Sequence, residues 1–260
     1  MNAFRKKWGM FVTVFALVGV LLVIRSVIVY YQFDMVVLNT QLIAAFIGAV
    51  IFTMVIIFTG TLPDFIESEK MPSELAASIK SLYMDADVLP LEDPVIPQLQ
   101  SHVRGLLTTI NTCFRQDERL DMPAIAQSIR TINADIHTIA KKNVAPPFCV
   151  KLRVELTTID RICNRVHTIR EMRFVPTAFA LSQIAISAVI LILLFIKIEP
   201  FTGGLILFAL TAILLIGILF LIKDMDDPFS GYATVDLELL WNLEHELLAD
   251  RSSPEHSGEH

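Results

Sequence analysis

Four long apolar blocks constrain the fold of this chain more than any other feature of its sequence. They cover residues 8–31, 42–62, 176–198 and 204–222. A helix of about 20 apolar residues crosses the hydrocarbon core of a bilayer. Apolar residues make up 54% of the 260 residues and charged residues only 18%, which argues against an ordinary soluble domain. The blocks predict an all-α integral membrane protein with four transmembrane helices in two hairpins.

The first block begins like a signal peptide, because Arg5, Lys6 and Lys7 precede it. Its apolar stretch is too long for a signal peptide, and no cleavage site of small residues follows it. We therefore expect a retained transmembrane helix. Arg25 lies near the far end of this helix, and its long side chain is expected to reach the membrane surface.

The basic residues predict the orientation of the chain. Three precede the first block and 14 lie within residues 63–175, whereas the loop 32–41 has none. Because basic loops stay in the cytoplasm, both termini and the central region are expected on the cytoplasmic side of the inner or plasma membrane. The predicted parts are an N-terminal hairpin (1–62), a cytoplasmic helical domain (63–175), a C-terminal hairpin (176–223) and a cytoplasmic C-terminal segment and tail (224–260).

The central region shows apolar residues at helical spacing and no strand-like alternation. Pro72 is expected to open an amphipathic helix that ends near Asp85. Asp121 followed by Pro123 is typical of an N-cap with an early helical proline. Further helices are predicted over residues 95–115, 123–143 and 148–174, and a short C-terminal one over 235–248.

No pattern for catalysis, metal binding or a cofactor is present in the sequence. Cys113, Cys149 and Cys163 match no zinc or disulfide spacing, and we expect buried thiols in a reducing compartment. No basic run is long enough to indicate nucleic-acid binding. The chain is therefore not predicted to be an enzyme, and its expected surroundings are the lipid bilayer and copies of itself.

Three short motifs resemble the bestrophin family of anion channels, which has the same layout of two spans, a cytoplasmic helical insert, two spans and a tail. Asp227-Pro228-Phe229-Ser230-Gly231, after the fourth block, is similar to the family's Asn-Pro-Phe-Gly. Glu69-Lys70-Met71-Pro72 is similar to Glu-Asn-Leu-Pro, which follows the second span in the family. Arg173-Phe174-Val175-Pro176 with Gln183 resembles the Ile-Pro-x-x-Tyr-x-Gln at the start of the third span.

The resemblance implies a homopentamer that conducts small anions such as chloride through a central pore lined by the second span. Aligned on Glu69 and Pro72, it places an apolar neck at Ile47, Ile51 and Val55. These residues are four apart and share one helical face, and a ring of apolar side chains can gate by expelling water. The alternative is that all three side chains face lipid or a neighbouring helix.

An apolar neck gives an anion no cation to pair with, so helix N-termini and polar groups are needed along the pathway. Thr40 and Gln41, at the start of the second span, and Thr53, inside it, are the candidates for polar contacts. The acidic cluster that follows Pro-Phe-Gly in calcium-gated members is replaced here by residues 232–236, Tyr-Ala-Thr-Val-Asp. Calcium gating is therefore not expected.

Two other function classes fit the same layout. A stator-like, ion-driven energy transducer would need a partner subunit to supply an intramembrane carboxylate, because the four apolar blocks contain no Asp or Glu. A membrane-anchored scaffold or sensor would bind a partner through its central helices and transport nothing. The Asp-Pro-Phe motif favours the channel over both.

The predicted topology can be tested by labelling introduced cysteines with a membrane-impermeant reagent in intact cells. Val37→Cys, in the first loop, is expected to be labelled, and Asn133→Cys, in the central region, is expected to be protected until the cells are opened. The reason is the excess of basic residues in the central region. The opposite pattern would reverse the orientation.

Overall fold

The computed structural model describes residues 2–33, 40–89, 93–116, 120–142, 144–171, 176–226, 228–229 and 235–249. These residues form helices and connections without any β-strand, which confirms the predicted all-α class. In chain order the helices are α1 (Asn2–Tyr30), α2 (Thr40–Asp87), α3 (Val95–Arg115), α4 (Met122–Ala140), α5 (Pro146–Glu171), α6 (Pro176–Phe195), α7 (Phe201–Met225) and α8 (Glu238–Ala249).

The helices belong to two compact units. The membrane unit comprises Met1–Phe65 and Arg173–Thr234, and the central unit comprises Ile66–Met172 and Val235–His260. Helix α2 contributes to both, because the boundary between the units falls inside it. Most of the predicted C-terminal segment, residues 235–260 of 224–260, therefore belongs to the central unit and includes α8.

Three helical stretches are long and apolar enough to cross a membrane: Trp8–Tyr30, Gln41–Asp87 and Phe201–Met225. A fourth apolar stretch, Phe179–Phe195 of α6, is shorter in the part of the chain that the structure describes. The chain is thus an integral membrane protein, and its described residues are all-helical and include three helices of spanning length.

Helices α1, α6 and α7 pack on one another in the membrane unit through apolar side chains. Val14 and Val18 of α1, for example, are buried together with Ala212 and Ile216 of α7. Large apolar side chains also cover the outside of these helices, such as Val12, which is 65% exposed. A soluble monomer rarely exposes apolar surface in large contiguous patches, whereas lipid tails cover such a surface readily.

Arg25 of α1 lies inside the membrane unit with only 2% of its surface exposed. The expectation that its side chain reaches the membrane surface is therefore wrong. Its Nη1 donates a hydrogen bond to the carbonyl oxygen of Leu193 in α6, and its guanidinium lies 5.2 Å from the ring centroid of Phe208 in α7. A backbone acceptor and an aromatic face inside the unit replace part of the hydration that the surface would offer.

Helix α2 continues without interruption through Pro63 and Pro72. The expectation that a new helix opens at Pro72 is wrong. An interior proline removes one backbone hydrogen bond and costs about 3 kcal/mol. Met71 and Leu75, beside Pro72, are 4% and 2% exposed, and each buried side chain of this size contributes about 1.5–3 kcal/mol. Burial on this turn therefore offsets the cost of its proline.

In the central unit, α4 packs against both α3 and α5. Helix α3 has the predicted bounds, Val95 to Arg115. The predicted N-cap of α4 is confirmed, because the Asp121 carboxylate accepts a hydrogen bond from the Ala124 N–H at 3.1 Å. Helix α4 buries one apolar face, formed by Ile125, Ile132, Ile136 and Ile139.

The three cysteines are buried and free, as predicted. Cys163 in α5 has no exposed surface. Burial, with a smaller effect from the charge of Asp160, raises the pKa of the Cys163 thiol to about 12. Only the thiolate reacts as a nucleophile, so Cys163 is an inert packing residue.

A buried polar cluster holds α8 on α3 within the central unit. Glu244 is only 6% exposed. Its carboxylate accepts hydrogen bonds from Asn111 Nδ2 at 3.1 Å and from Arg115 Nη2 at 2.7 Å. Asn111 Nδ2 also donates to the carbonyl oxygen of Leu240 at 3.1 Å. A carboxylate removed from water needs such donors, so the cluster fixes where α8 sits on α3.

We expect Glu244→Ala to lower the free energy of unfolding of the full chain in detergent by about 1–3 kcal/mol, because Asn111 and Arg115 lose a buried acceptor. Denaturant unfolding followed by circular dichroism measures the change. Glu246→Ala is the matched control on the same helix. Glu246 bonds Lys80 at 2.6 Å and its side chain is 54% exposed, so its loss should cost less than about 1 kcal/mol. Equal losses for the two variants would contradict the role assigned to Glu244.

Candidate functional site

The candidate site lies on the first half of α2, residues 40–62. The helix begins at Thr40, as predicted, and this half contains no charged residue. Its length is about 34 Å at a rise of 1.5 Å per residue, which is sufficient to cross the hydrocarbon core. The aliphatic composition favours burial in lipid or between helices at every turn.

One face of this half of α2 is fixed within the chain. Val50, Met54 and Ile57 are 5%, 0% and 6% exposed and belong to the main buried cluster of the membrane unit. The same cluster includes Val189 and Leu193 of α6. Helix α2 is therefore held by packing, and its other faces are left to contact lipid, water or another chain.

The three predicted neck residues have different surroundings within one chain. Ile47 and Ile51 are half-buried and pack against the main cluster, whereas Val55 is 48% exposed. A step of four residues turns a helix by about 40° beyond a full circle, so the line through the three residues moves gradually away from α6. Their common face thus begins at the edge of the packed surface and ends outside it.

A cavity of about 430 Å³ lies beside Ile47. Its walls are apolar and come from α2 and α6: Leu42, Ile43, Ala45, Phe46, Ile47, Val189 and Ile192. Such a cavity offers no hydrogen-bond donor to an anion. It can accommodate an apolar group, such as a side chain of another helix or a lipid tail.

The face of α2 next to the predicted neck residues carries several small side chains. Ala44, Ala45, Gly48 and Ala49 are all exposed within one chain. A methyl group added at Gly48 would meet no heavy atom within 4 Å in the described part of the chain. Small side chains allow another helix to come close in a membrane, so this face suits contact between subunits.

The predicted polar contacts differ in what they can offer an anion. The Thr53 hydroxyl donates to the carbonyl oxygen of Ala49 at 2.9 Å. Its one donor hydrogen is therefore used within its own helix, and a hydroxyl has no second one for an anion. Gln41 is exposed, and Thr40 is the first residue of α2. The first backbone N–H groups of a helix have no partner inside it and attract negative charge.

The residues of the family motifs fall at different places in the chain. Glu69 is exposed and Pro72 is buried, both inside α2, and Pro176 is the first residue of α6. Pro228 and Phe229 are buried just after α7. Asp227 and Gly231 lie outside the described residues.

Sequence reasoning missed the role of Arg25 in the packing of the membrane unit. The available signal was a single cation inside an apolar block, which often marks a functional position. The residues that it contacts, Leu193 and Phe208, lie 168 and 183 positions further along the chain, so no local sequence pattern could identify these contacts.

Comparisons with known proteins point to one fold. No protein-family model and no curated protein matches the sequence, but 25 chains of solved structures match the fold. A variant of a bacterial bestrophin homologue from Klebsiella pneumoniae has a TM-score of 0.75 and 12% identity, covering 94% of this chain and 99% of the other. A second variant of that homologue has a TM-score of 0.78 and 11% identity, covering 92% and 99%. A structure described as a membrane protein has a TM-score of 0.78 and 11% identity, covering 93% and 99%.

The similarity extends over nearly the whole of both chains, so this protein has a bestrophin-like fold. The sequence resemblance seen in the three motifs is thus confirmed at the level of the fold.

Proposed function

We propose that this protein is a bestrophin-like channel that conducts small anions, such as chloride, across the inner or plasma membrane. The observation that carries the proposal is the bestrophin-like fold over nearly the whole chain, found at only 10–12% sequence identity. The three motifs resemble those of a family of anion channels, and this resemblance supports anion conduction as the function.

The proposed topology has four spans, with both termini and the central region in the cytoplasm. Helices α1, α2 and α7 supply three spans of sufficient length. Helix α6 is the fourth, because its 20 residues extend over about 30 Å. The basic residues of the central region support the orientation.

The proposed assembly is a homopentamer with α2 of each subunit around the axis. Its support within one chain is the apolar surface of α2 that is exposed among the described residues, which includes Phe52 at 67% and Ile56 at 57% exposure. The exposed small residues from Ala44 to Ala49 allow neighbouring helices to approach. A ring of subunits would cover one side of each α2 and leave another facing the pathway.

The proposed neck is formed by Ile47, Ile51 and Val55. Each would contribute a ring of methyl groups that repels water, so that wetting controls conduction. Compensation for the anion's lost hydration would come from the N-terminal turns of α2, with Thr40 and Gln41 at the mouth. Thr53 is the weakest of the polar candidates, because its hydroxyl donates to Ala49.

The two rival functions have less support. A stator-like transducer needs an intramembrane carboxylate, and the apolar blocks have no Asp or Glu. A scaffold or sensor needs no membrane pathway, and this function does not explain why the chain has a bestrophin-like fold. The motif resemblance and the fold both favour the channel.

The proposal is tested with purified full-length protein in two ways. Electron microscopy of detergent-solubilised particles is expected to reveal five-fold symmetry, and proteoliposomes are expected to release chloride. A monomeric or dimeric particle without chloride efflux would refute the channel.

The neck is tested by truncating Ile47, Ile51 and Val55 together to Ala. In a pore wall this widens the constriction and lowers the barrier to wetting, so chloride efflux should increase. In a helix contact the same change leaves cavities and costs roughly 1–4 kcal/mol per site, so the oligomer should loosen without a gain in efflux. Size-exclusion chromatography of the same samples separates these outcomes.

Two single substitutions on α2 serve as controls for the neck. Met54→Ala removes a fully buried side chain and should weaken the fold without increasing efflux. Ile56→Ala shortens a side chain that is 57% exposed on a different face, proposed to contact a neighbouring subunit, and should not increase efflux. Unchanged efflux from an intact triple-alanine oligomer would place the neck elsewhere.

A further inference from the structure

We propose that Arg25 and Gly204 together form an intramembrane clamp that positions α6 and, through α6, the α2 helix. Arg25 is a positioning residue here, because the contacts that the structure describes for it are with α6 and α7. Its effect on conduction rests on the proposed function, whereas its effect on the packing of the membrane unit does not.

The first half of the clamp is the contact of Arg25 with the end of α6. Helix α6 ends at Phe195, so the Leu193 carbonyl lies in its last turn. The last four carbonyls of a helix have no partner within the helix and form the negative end of its dipole. Arg25 donates to the Leu193 oxygen. A charge-assisted bond is stronger than a neutral one, so the guanidinium acts as a cationic cap on α6.

The second half is the contact of Arg25 with the start of α7. The guanidinium carbon is 5.2 Å from the ring centroid of Phe208, whose exposure is 1%. A cation over an aromatic ring gains more when the site excludes water. One side chain of α1 thus contacts the end of α6 and the first part of α7 together.

Gly204 provides the space that this arrangement needs. A Cβ atom at Gly204 would lie 3.3 Å from Arg25 Nη2, 3.2 Å from Ile198 Cβ and 3.3 Å from the Ile198 carbonyl oxygen. These distances are tighter than ordinary van der Waals contacts, so either the guanidinium or the α6–α7 turn would have to move. Gly217, also in α7, has no heavy atom within 4 Å of such a Cβ among the described residues.

The clamp is connected to the candidate pathway through packed side chains. Leu193 and Phe208 belong to the same buried cluster as Val50, Met54 and Ile57 of α2. Ile47 and Ile51 of α2 are partly buried and also pack against this cluster. Protein interiors are close-packed and transmit such displacements. A shift at the end of α6 should therefore change the position of the proposed neck.

A double-mutant cycle on the full-length protein in detergent tests the clamp itself. Thermal unfolding is measured for wild type, Arg25→Met, Gly204→Ala and the double variant. Each single variant is expected to lower Tm by several degrees, and Gly204→Ala should cost less in the Arg25→Met background, because the guanidinium it crowds is gone while its close contacts with Ile198 remain. Gly217→Ala should not lower Tm, because a Cβ there meets no described atom and alanine favours a helix more than glycine does. Additive losses would overturn the clamp.

Arg25→Lys is the conservative variant and covers the case in which Arg25→Met does not fold. Lysine keeps the charge and can bond one carbonyl, but it lacks the planar group that also covers Phe208. Its Tm is expected between those of wild type and Arg25→Met. A Tm equal to that of wild type would mean that any cation suffices, which contradicts a clamp built on the guanidinium.

The positioning role is tested by the ratio of iodide to chloride efflux from proteoliposomes. Intact Arg25→Lys and Gly204→Ala oligomers, assayed well below their Tm, are expected to show a ratio different from wild type. A loss of stability alone would lower both fluxes and leave the ratio unchanged, and that result would overturn the positioning role. Absence of efflux from wild type would refute the proposed channel, and the thermal cycle would then decide the clamp alone.

Discussion

The absence of water in the hydrocarbon core is the constraint on which the rest of this structure depends. A polar group in that region has to find its partner inside the protein. Helices meet the requirement for the backbone, which is why apolar blocks of spanning length form helices here. The backbone groups at helix ends and the few polar side chains within the blocks still need a hydrogen-bond partner inside the protein. The capping of the Leu193 carbonyl by Arg25 is one solution to both problems.

The two units of the chain are stabilised in different ways. In the membrane unit, α1, α6 and α7 pack through apolar side chains, with the guanidinium of Arg25 among them. In the central unit, amphipathic helices bury an apolar face and add polar clusters such as that of Glu244, Asn111 and Arg115. Water competes for polar groups in the second case, so burial is needed before such a cluster adds stability.

Helix α2 connects the fold with the proposed function. One face is buried in a cluster with side chains of α6 and α7, and the faces beside it carry small or apolar side chains that are exposed in the described part of the chain. A pathway built on such a helix would be apolar at its narrowest part and would depend on the exact position of the helix. This is the physical reason for linking Arg25, which contacts the end of α6, to the proposed neck at Ile47 and Ile51.

The sequence by itself determined the helical class, the membrane character and several helix ends, because these depend on local composition and spacing. The Asp121 cap of α4 and the bounds of α3 are examples. The line of candidate neck residues also came from spacing and a motif, and it remains a proposal. Only the tertiary structure decided that α2 continues through Pro72, that Arg25 is buried, and that α8 packs on α3. Each of these depends on contacts between residues far apart in the chain, whose burial outweighs the local preference for a helix break, a hydrated cation or a free C-terminal segment.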